Sequence, residues 1–260
     1  MPALKCSAGG LPRSERSPIL EQVFDDQVLR ELRRKVAAVS GETTVDDDRQ
    51  VLPVAEPLAA VLPRGGVARG SVVSVVGQGA TSLLFTLLAG PEAPWSALVG
   101  MPGVGLLAAA EFGVDLDRVV VIPEPGPDVL QVLSILIDGV DMIAVALPAG
   151  ARPGPSRQRV LTGRLRQHGA VLLVMGPWPG ADLVMTARSV GWTGLGQGHG
   201  RLRDRELVVE VSGRGAAAGR RNTAALLLRS DRTSIEVARS QSPVPVVAEP
   251  GTFEPVADVS

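Results

Sequence analysis

The fold is decided by one stretch of the sequence, Ser71-Val-Val-Ser-Val-Val-Gly-Gln-Gly-Ala-Thr-Ser-Leu-Leu-Phe-Thr-Leu-Leu-Ala89. Its first part, residues 71–76, is a run of apolar and small side chains of the kind that forms a buried strand. Glycines follow at positions 77 and 79, and the mainly apolar residues 82–89 have the composition of a helix. The stretch therefore predicts a strand, a glycine loop and a helix in direct succession, which is the repeating unit of α/β proteins.

The same order of elements surrounds a P-loop, whose backbone N–H groups hold phosphates, whose lysine reaches the β- and γ-phosphate oxygens and whose hydroxyl holds Mg²⁺. Here the loop is shorter than that pattern, and no lysine follows Lys35 anywhere in the chain. We interpret the loop as the remains of a phosphate-binding loop that has lost catalysis. The residues of this remnant are Gly77, Gly79, Thr81 and Ser82.

Length and composition predict a cytoplasmic protein with one full α/β domain and extensions. The chain has 260 residues, of which 45% are hydrophobic, and its mean hydropathy of +0.22 suits a well-buried core. No apolar run reaches the ~20 residues that span a bilayer, and residues 1–17 lack the apolar stretch of a secretory signal. The single cysteine, Cys6, excludes an internal disulfide and a cysteine-built metal site.

Charge is distributed unevenly, although the net charge is only −1. Residues 1–150 carry 11 basic and 18 acidic side chains, whereas residues 151–239 carry 15 arginines and 6 acidic side chains. A basic half of this kind predicts a surface for nucleic acid or for an acidic partner. The alternative is that the arginines reflect genome composition, since Lys5 and Lys35 are the only lysines.

The chain divides into three regions by its sequence pattern. Residues 1–50 predict an amphipathic helix over 18–39 followed by a solvated linker, residues 51–239 form the core, and residues 240–260 form a proline-spaced acidic tail that we expect to be disordered. The apolar face of the helix is marked by residues at four-residue spacing: Leu20, Phe24, Val28 and Leu32.

Within the core, strands alternate with helices, which predicts a largely parallel sheet with helices on both faces. The predicted strands are 71–76, 96–99, 118–122, 141–147, 170–175 and 206–211. The predicted helices are 82–89, 103–112, 127–138 and 156–168. The last part of the core has strand patterns without an intervening helix, so we expect an antiparallel edge there.

The order of motifs over about residues 60–230 resembles the core of the RecA recombinases. The segment Glu111-Phe-Gly-Val-Asp-Leu-Asp-Arg-Val-Val120 is similar to the strand region that precedes the RecA crossover helix, and Val140–Ala146 takes the place of the Walker B strand. The resemblance implies a RecA-like P-loop core with degenerate Walker motifs.

The catalytic positions of the RecA family are not filled by catalytic residue types. The P-loop lysine and hydroxyl fall on the shortened loop and Leu83, and the Walker B carboxylate falls on Ala146. The water-polarising glutamate falls near Met101 or Pro102, and Gly176-Pro177 replaces the polar sensor. The resemblance therefore implies a pseudo-ATPase with no catalytic residue, no nucleotide cofactor and no metal, because phosphoryl transfer depends on these charges.

Within the RecA-like proteins, the chain is most similar to the actinobacterial branch of the ImuA family. The segments that carry this likeness are Leu62–Ser71, Gly77–Leu84, Gly176–Leu183, Trp192–Gly196 and Gly213–Ala218. Membership implies an adaptor in damage-inducible translesion DNA synthesis. Its partners would be an ImuB-like inactive Y-family polymerase homologue and, indirectly, an error-prone C-family polymerase, with single-stranded DNA as a further ligand and no membrane.

Five arginines are candidate DNA contacts. Four follow the Walker B strand at Arg157, Arg159, Arg164 and Arg166, and the resemblance matches Arg214 to a lysine that in RecA filaments reaches the neighbouring protomer's phosphates. The alternative is an exposed helix face and a strand-end surface arginine. With three Trp, four Phe and no Tyr, base stacking is poorly supplied, so we expect DNA binding to be electrostatic and salt-sensitive.

Partner-binding candidates are the apolar face of helix 18–39, two tryptophans that we expect in Gly/Pro-rich loops, Trp178 and Trp192, and Phe253 of the tail. The alternative for the tryptophans is that they anchor the core.

Two other functions stay open at this point. One is a DNA-stimulated ATPase or recombinase-like enzyme, and the other is a division inhibitor resembling SulA, which binds FtsZ.

Overall fold

The computed structural model describes residues 51–148, 153–195, 200–214 and 222–240. All of them belong to the compact unit Asp48–Ser260. The predicted helix 18–39 and residues 241–260 of the predicted tail lie outside the described residues.

The described residues form a mixed α/β structure. The strands are β1 (Val51–Pro53), β2 (Gly66–Ala68), β3 (Val72–Val76), β4 (Ser96–Val99), β5 (Val119–Ile122), β6 (Met142–Val145), β7 (Val171–Met175), β8 (Leu183–Leu195), β9 (Gly200–Gly213), β10 (Asn222–Ser230) and β11 (Ile235–Arg239). The helices are α1 (Glu56–Ala59), α2 (Ala80–Leu88), α3 (Leu106–Glu111), α4 (Val129–Leu136) and α5 (Pro155–His168), with a 3₁₀ turn at Leu116–Arg118.

Nine strands form one sheet in the order β11-β10-β9-β8-β3-β7-β6-β4-β5, while β1 and β2 pair separately. From β8 to β5 all pairs are parallel, and from β8 to β11 all pairs are antiparallel. The prediction of a largely parallel α/β sheet with an antiparallel edge is therefore confirmed.

The parallel strands β3, β4, β6 and β7 are buried because helices cover both faces, whereas the edge strand β5 is partly exposed. Val73 and Val75 of β3 point into one core cluster together with the apolar residues of α2, and Val72 points into a second cluster together with those of α4 and α5. Side chains alternate between the two faces of a strand, so a strand with both faces covered is apolar throughout, as β6 and β7 are.

Local signals set the helix ends. Helix α5 begins with Pro155 directly after Gly154, where a missing N–H costs nothing, and it ends at Gly169, whose φ of 72° lies in the left-handed region. Helix α4 begins after Asp128, whose carboxylate accepts a hydrogen bond from the Gln131 backbone N–H. None of the described helices is long and apolar enough to cross a membrane.

The main difference from the sequence prediction is β8, which was not predicted. Its first half alternates between buried and half-buried residues, but from Val190 onward it is exposed, and it contains Gly191 and Gly194. A glycine-rich exposed segment reads as a loop in sequence, and for that reason Trp192 was wrongly placed in a loop. The strand predicted at 206–211 is also longer than expected, because β9 pairs with β8 along most of its length.

Candidate functional site

The residues Gly77–Ser82, which we call the glycine loop, follow β3 at the carboxyl ends of the parallel strands. The loop lies directly against β8 and β9. A Cβ atom added to Gly77, whose φ is 98°, would lie 2.3 Å from the carbonyl oxygen of Ala187, and one added to Gly79 would lie 2.2 Å from Cδ1 of Leu207. These glycines are therefore required by close packing inside the protein.

The backbone N–H groups of the glycine loop bond within the protein. Gly79 donates to the carbonyl oxygen of Ala187 at 3.0 Å, and Ala80 donates to that of Gly77 at 3.1 Å. In a phosphate-binding loop such groups point at the ligand. Here these two N–H groups are already used, so this part of the loop has the geometry of a packed turn.

A guanidinium from β9 lies beside the glycine loop. Arg205 donates through Nη1 to Ser82 Oγ at 3.0 Å and through Nε to Ser189 Oγ at 2.9 Å. It also lies over the indole of Trp192, 5.1 Å from the ring centroid. Desolvation by burial lowers the pKa of Arg205 from its ordinary value. Thr81, the other hydroxyl residue of the remnant, is exposed.

The parallel strands β4, β6 and β7 are also followed directly by residues without charged side chains. Gly100, Ala146 and Gly176 directly follow β4, β6 and β7. The carbonyl oxygen of Ala146 lies 2.4 Å from where a Cβ of Gly100 would be, and the carbonyl oxygen of Gly176 accepts a hydrogen bond from Ser74 Oγ at 2.6 Å. At the position where the RecA resemblance places a metal carboxylate, the backbone of Ala146 thus packs against Gly100, and at the polar-sensor position the carbonyl oxygen of Gly176 is bonded to Ser74. In the described part of the chain no three His, Cys, Asp or Glu residues are grouped to hold a metal.

The predicted DNA-contacting arginines are separated by the fold. Arg159 and Arg166 line a groove of about 400 Å³ between α5 and the loop 176–182. Arg214, after the end of β9, reaches the rim of that groove, since its Nη1 lies 3.5 Å from where a Cβ of Gly180 would be. We call this surface the arginine groove.

The other two predicted arginines lie elsewhere. Arg157 lines a neighbouring cleft of about 380 Å³ between the first turns of α4 and α5. Arg164 donates through Nη2 to both carboxylate oxygens of Asp138, at 2.8 and 2.9 Å. That ion pair neutralises the charge of Arg164 locally, and Asp138 also lies 3.5 Å from Nε2 of His168.

The arginine groove is rich in hydrogen-bond donors. Arg159 and Arg166 form no ion pair with any described residue. Asp182, the acidic residue at the end of the loop 176–182, accepts a hydrogen bond from the Val72 N–H at 2.8 Å and so is committed to the sheet. Unpaired guanidinium groups with no competing carboxylate suit an anionic ligand such as a chain of phosphates.

The two tryptophans differ in exposure. Trp178 is 6% exposed and packs in the second core cluster, so it anchors the core beneath the arginine groove. Trp192 is 53% exposed on β8. The remaining partner-binding candidates, Leu20, Phe24, Val28, Leu32 and Phe253, lie outside the described residues.

Sequence reasoning missed Arg205. No local pattern distinguishes it from its neighbour Arg203, and its contact with Ser82 joins residues 123 positions apart. Only the pairing register, which sets Arg205 opposite Trp192, could have indicated its position. The same strand pairing brings Arg205 of β9 next to Ser82 of the glycine loop.

The fold and the site together define a mixed α/β protein with a glycine loop packed against its own sheet. A family model described as the MT3502 N-terminal domain matches residues 60–180, which include the glycine loop and α5 but end before Trp192 and Arg205. The chain is 37% identical over 167 residues to the uncharacterized protein Rv3395c of Mycobacterium tuberculosis, an overlap that covers 63% of this chain and 78% of that protein. The chain belongs to the family of this mycobacterial protein.

Proposed function

We propose that this chain is a non-catalytic, RecA-like adaptor of a damage-inducible translesion DNA synthesis assembly in the cytoplasm. It binds an ImuB-like, catalytically inactive Y-family polymerase homologue, and through it an error-prone C-family polymerase. The observation that carries the proposal is the closed glycine loop, in which Gly77 and Gly79 pack against β8 and β9 and no lysine is present.

The sheet supports the RecA-like part of the proposal. The glycine loop follows β3, a central strand with parallel neighbours on both sides, and it lies at the carboxyl ends of the strands, where open α/β sheets bind their ligands. The glycine loop thus lies where a P-loop enzyme would have its phosphate site, and its glycines pack against β8 and β9 there.

The energetics support the absence of catalysis. Removing one preorganised charge-stabilising group from an active site typically lowers kcat by about 10²–10³. A P-loop enzyme depends on its lysine, its metal anchor and its water-positioning group together. The corresponding positions here hold a packed loop, Ala146 and the half-buried Met101. With these groups missing, transition-state stabilisation falls far below what turnover requires.

The arginine groove supplies the DNA contact of the proposed adaptor. The groove lies on the sheet face that α4 and α5 cover, opposite the face that packs against α2. Its walls carry Arg159, Arg166 and Arg214. Contacts of this kind neutralise backbone phosphates without reading sequence, so the binding is strongly salt-dependent.

Nucleotide binding and turnover are tested first on the purified full chain. A phosphate-release assay with Mg-ATP, with and without single-stranded DNA, is expected to show no turnover, and calorimetric titration with Mg-ATP separates binding without hydrolysis from absence of binding. Hydrolysis stimulated by DNA would overturn the proposal in favour of an enzyme.

The adaptor role is tested by capture of the tagged full chain from cells before and after DNA damage. The ImuB-like polymerase homologue is expected to co-purify after damage. Recovery of FtsZ in its place would mean a division inhibitor, and recovery of neither protein would contradict the adaptor role.

A further inference from the structure

Strands β8 and β9 extend beyond the rest of the sheet as a two-stranded ribbon. Strand β8 pairs with β3 only as far as Thr186, and β9 pairs with β10 only from Asp204 onward. Residues 191–195 of β8 therefore pair with β9 alone in the described part of the chain: Gly191, Trp192 and Thr193 lie opposite Glu206, Arg205 and Asp204, and Leu195 lies opposite Gly200. An isolated hairpin is marginally stable in water, so a ribbon of this kind gains from a ligand that covers it.

The ribbon carries an exposed aromatic ring and two guanidinium groups. The register sets Trp192 opposite Arg205, and Arg203 lies two residues before Arg205 on β9, beside the register shift between Thr193 and Leu195. Trp192 and Arg203 are exposed, whereas Arg205 is half-buried between the indole and the hydroxyls of Ser82 and Ser189. We call this surface the ribbon face.

Within the part of the chain that the structure describes, no acidic side chain balances the ribbon face. Arg203 and Arg205 form no ion pair with a described residue. The adjacent acidic residues, Asp204 and Glu206, alternate to the opposite face, where Glu206 accepts a hydrogen bond from Ser240 Oγ at 2.5 Å. A half-buried guanidinium bonded only to neutral groups is an incompletely compensated charge, and an anion placed beside it would offset its desolvation.

We propose that the ribbon face binds a phosphate ester that carries an unpaired base, with the base stacked on the indole of Trp192 and the phosphate held by Arg203 and Arg205. Single-stranded nucleic acid and a free nucleotide both present this chemistry. Arg205 covers one side of the indole, and the 53% exposure of Trp192 leaves ring surface for stacking.

This site goes beyond the adaptor role, which requires no base contact, and it is separate from the arginine groove. It also revises the expectation that base stacking is poorly supplied, because the fold exposes the indole of Trp192 beside Arg205. Nucleic acid is favoured over a protein partner because the charged groups that the structure describes on the ribbon face are cationic, and Ser82, which contacts Arg205, offers a hydroxyl group.

The experiment uses the purified full chain, a fluorescently labelled 12-nucleotide single strand, an abasic strand of the same length and charge, and thymidine monophosphate. Trp192→Ala is expected to weaken binding of the base-bearing strand by about 5- to 150-fold, the range typical of losing one stacked base, and to leave abasic-strand binding unchanged. The matched control is Trp95→Ala, because Trp95 is 48% exposed beside β4, away from the ribbon. The Trp95→Ala variant is expected to bind both strands as tightly as the unmodified chain does.

A second variant keeps the test independent of folding. Arg203→Gln removes an exposed charge that forms no bond within the described residues, and it is expected to flatten the salt dependence of binding by about 0.7 in the log–log slope. Equal effects of Trp192→Ala on the base-bearing and abasic strands, or no effect on either, would overturn the proposal, as would absence of binding by both strand and nucleotide.

The same titrations separate the two sources of the ligand. Trp192-dependent binding of the monophosphate at the strand's affinity would identify a free nucleotide, and preference for the strand would identify single-stranded nucleic acid. Failure here leaves the adaptor role standing, because partner capture does not depend on Trp192. Arg159→Ala tests whether the ribbon face acts separately from the arginine groove. In a chain that carries Arg159→Ala, Trp192→Ala is expected to weaken strand binding by the same factor as in the unmodified chain.

Discussion

Single residues explain why the glycine loop is closed. Gly77 combines a left-handed backbone with an approach so close that a methyl group would meet the carbonyl oxygen of Ala187. In a phosphate loop, glycine lets the backbone approach a ligand, whereas here it lets the backbone approach a neighbouring strand. The same residue type thus serves packing inside the molecule.

Gly77→Ala is expected to destabilise the fold by about 2–3 kcal/mol, because the left-handed φ is strained for alanine and the clash is with backbone. The measurement is the free energy of unfolding in urea. The matched control is Gly163→Ala, which has open space around it in the middle of α5 and is expected to stabilise by about 0.5–1 kcal/mol. Equal effects of the two changes would contradict the packing role.

Asp182 holds the loop 176–182 to the sheet. Its carboxylate accepts from the N–H of Val72 at 2.8 Å, and its own N–H donates to the carbonyl oxygen of Val72 at 2.8 Å. The residue therefore continues the hydrogen bonding of β3 where the chain enters β8. The loop, in turn, forms one wall of the arginine groove.

Asp182→Ala is expected to lower the free energy of unfolding by about 1.5–3 kcal/mol, because a half-buried backbone donor loses a charged acceptor. Thermal unfolding followed by circular dichroism measures the change. Glu124→Ala is the control, since Glu124 is exposed and forms no bond within the described residues. A loss no greater than that of the control would show that Asp182 does not hold the loop.

At the scale of elements, α5 joins the core to the arginine groove. One side of the helix buries Leu161 and Leu165, at 3% and 0% exposure, against the second core cluster. The other side carries Arg159 and Arg166 to the surface. Core packing therefore sets the direction in which the arginines project.

Leu161→Ala is expected to cost about 2–5 kcal/mol in unfolding free energy, because it leaves a cavity under α5. Its neighbour Val160 is 66% exposed, and Val160→Ala is expected to change stability by no more than about 0.5 kcal/mol. Urea unfolding of both variants makes the comparison. Equal losses of unfolding free energy would mean that α5 does not bury Leu161 in preference to Val160.

At the scale of the whole molecule, the basic half of the sequence does not form one basic surface. Arg164 is paired with Asp138, Arg188 is paired with Glu210, and Arg69 from the acidic half is paired with Asp141 at 2.9 Å. Of the described arginines without a described ion-pair partner in this half, Arg159, Arg166 and Arg214 lie at the arginine groove and Arg203 and Arg205 on the ribbon face, whereas Arg157, Arg229, Arg232 and Arg239 lie elsewhere. Net charge by region therefore overstates how much surface is available to DNA.

If the arginine groove contacts single-stranded DNA as proposed, replacing both Arg159 and Arg166 by alanine is expected to flatten the salt dependence of binding by about 1.4 in the log–log slope, or about 0.7 for each lost phosphate contact. Fluorescence anisotropy over a range of salt concentrations measures the slope. Arg164→Ala is the control, because Asp138 already neutralises that charge. A slope unchanged by the double substitution would remove the groove from the DNA contact.

Much of the fold was predictable because its signals are local. The runs 71–76 and 170–175 are apolar throughout and became β3 and β7 within one residue at each end, and the prediction 156–168 for α5 differs by one residue. Strand β8 was not predictable in the same way, because its outer half is exposed and glycine-rich and exists only through pairing with β9. The five candidate arginines were visible in sequence, but their separation into paired and unpaired groups was not.

The sequence by itself determined the alternation of strands and helices, the position of the glycine loop and the absence of a lysine after Lys35, because periodicity and residue identity are properties of short segments. Only the tertiary structure decided that the glycine loop packs against Ala187 and Leu207, and that Arg205 lies between Ser82 and Trp192. These contacts join residues about 100 or more positions apart in most cases, and strand register fixes them, which no local pattern encodes.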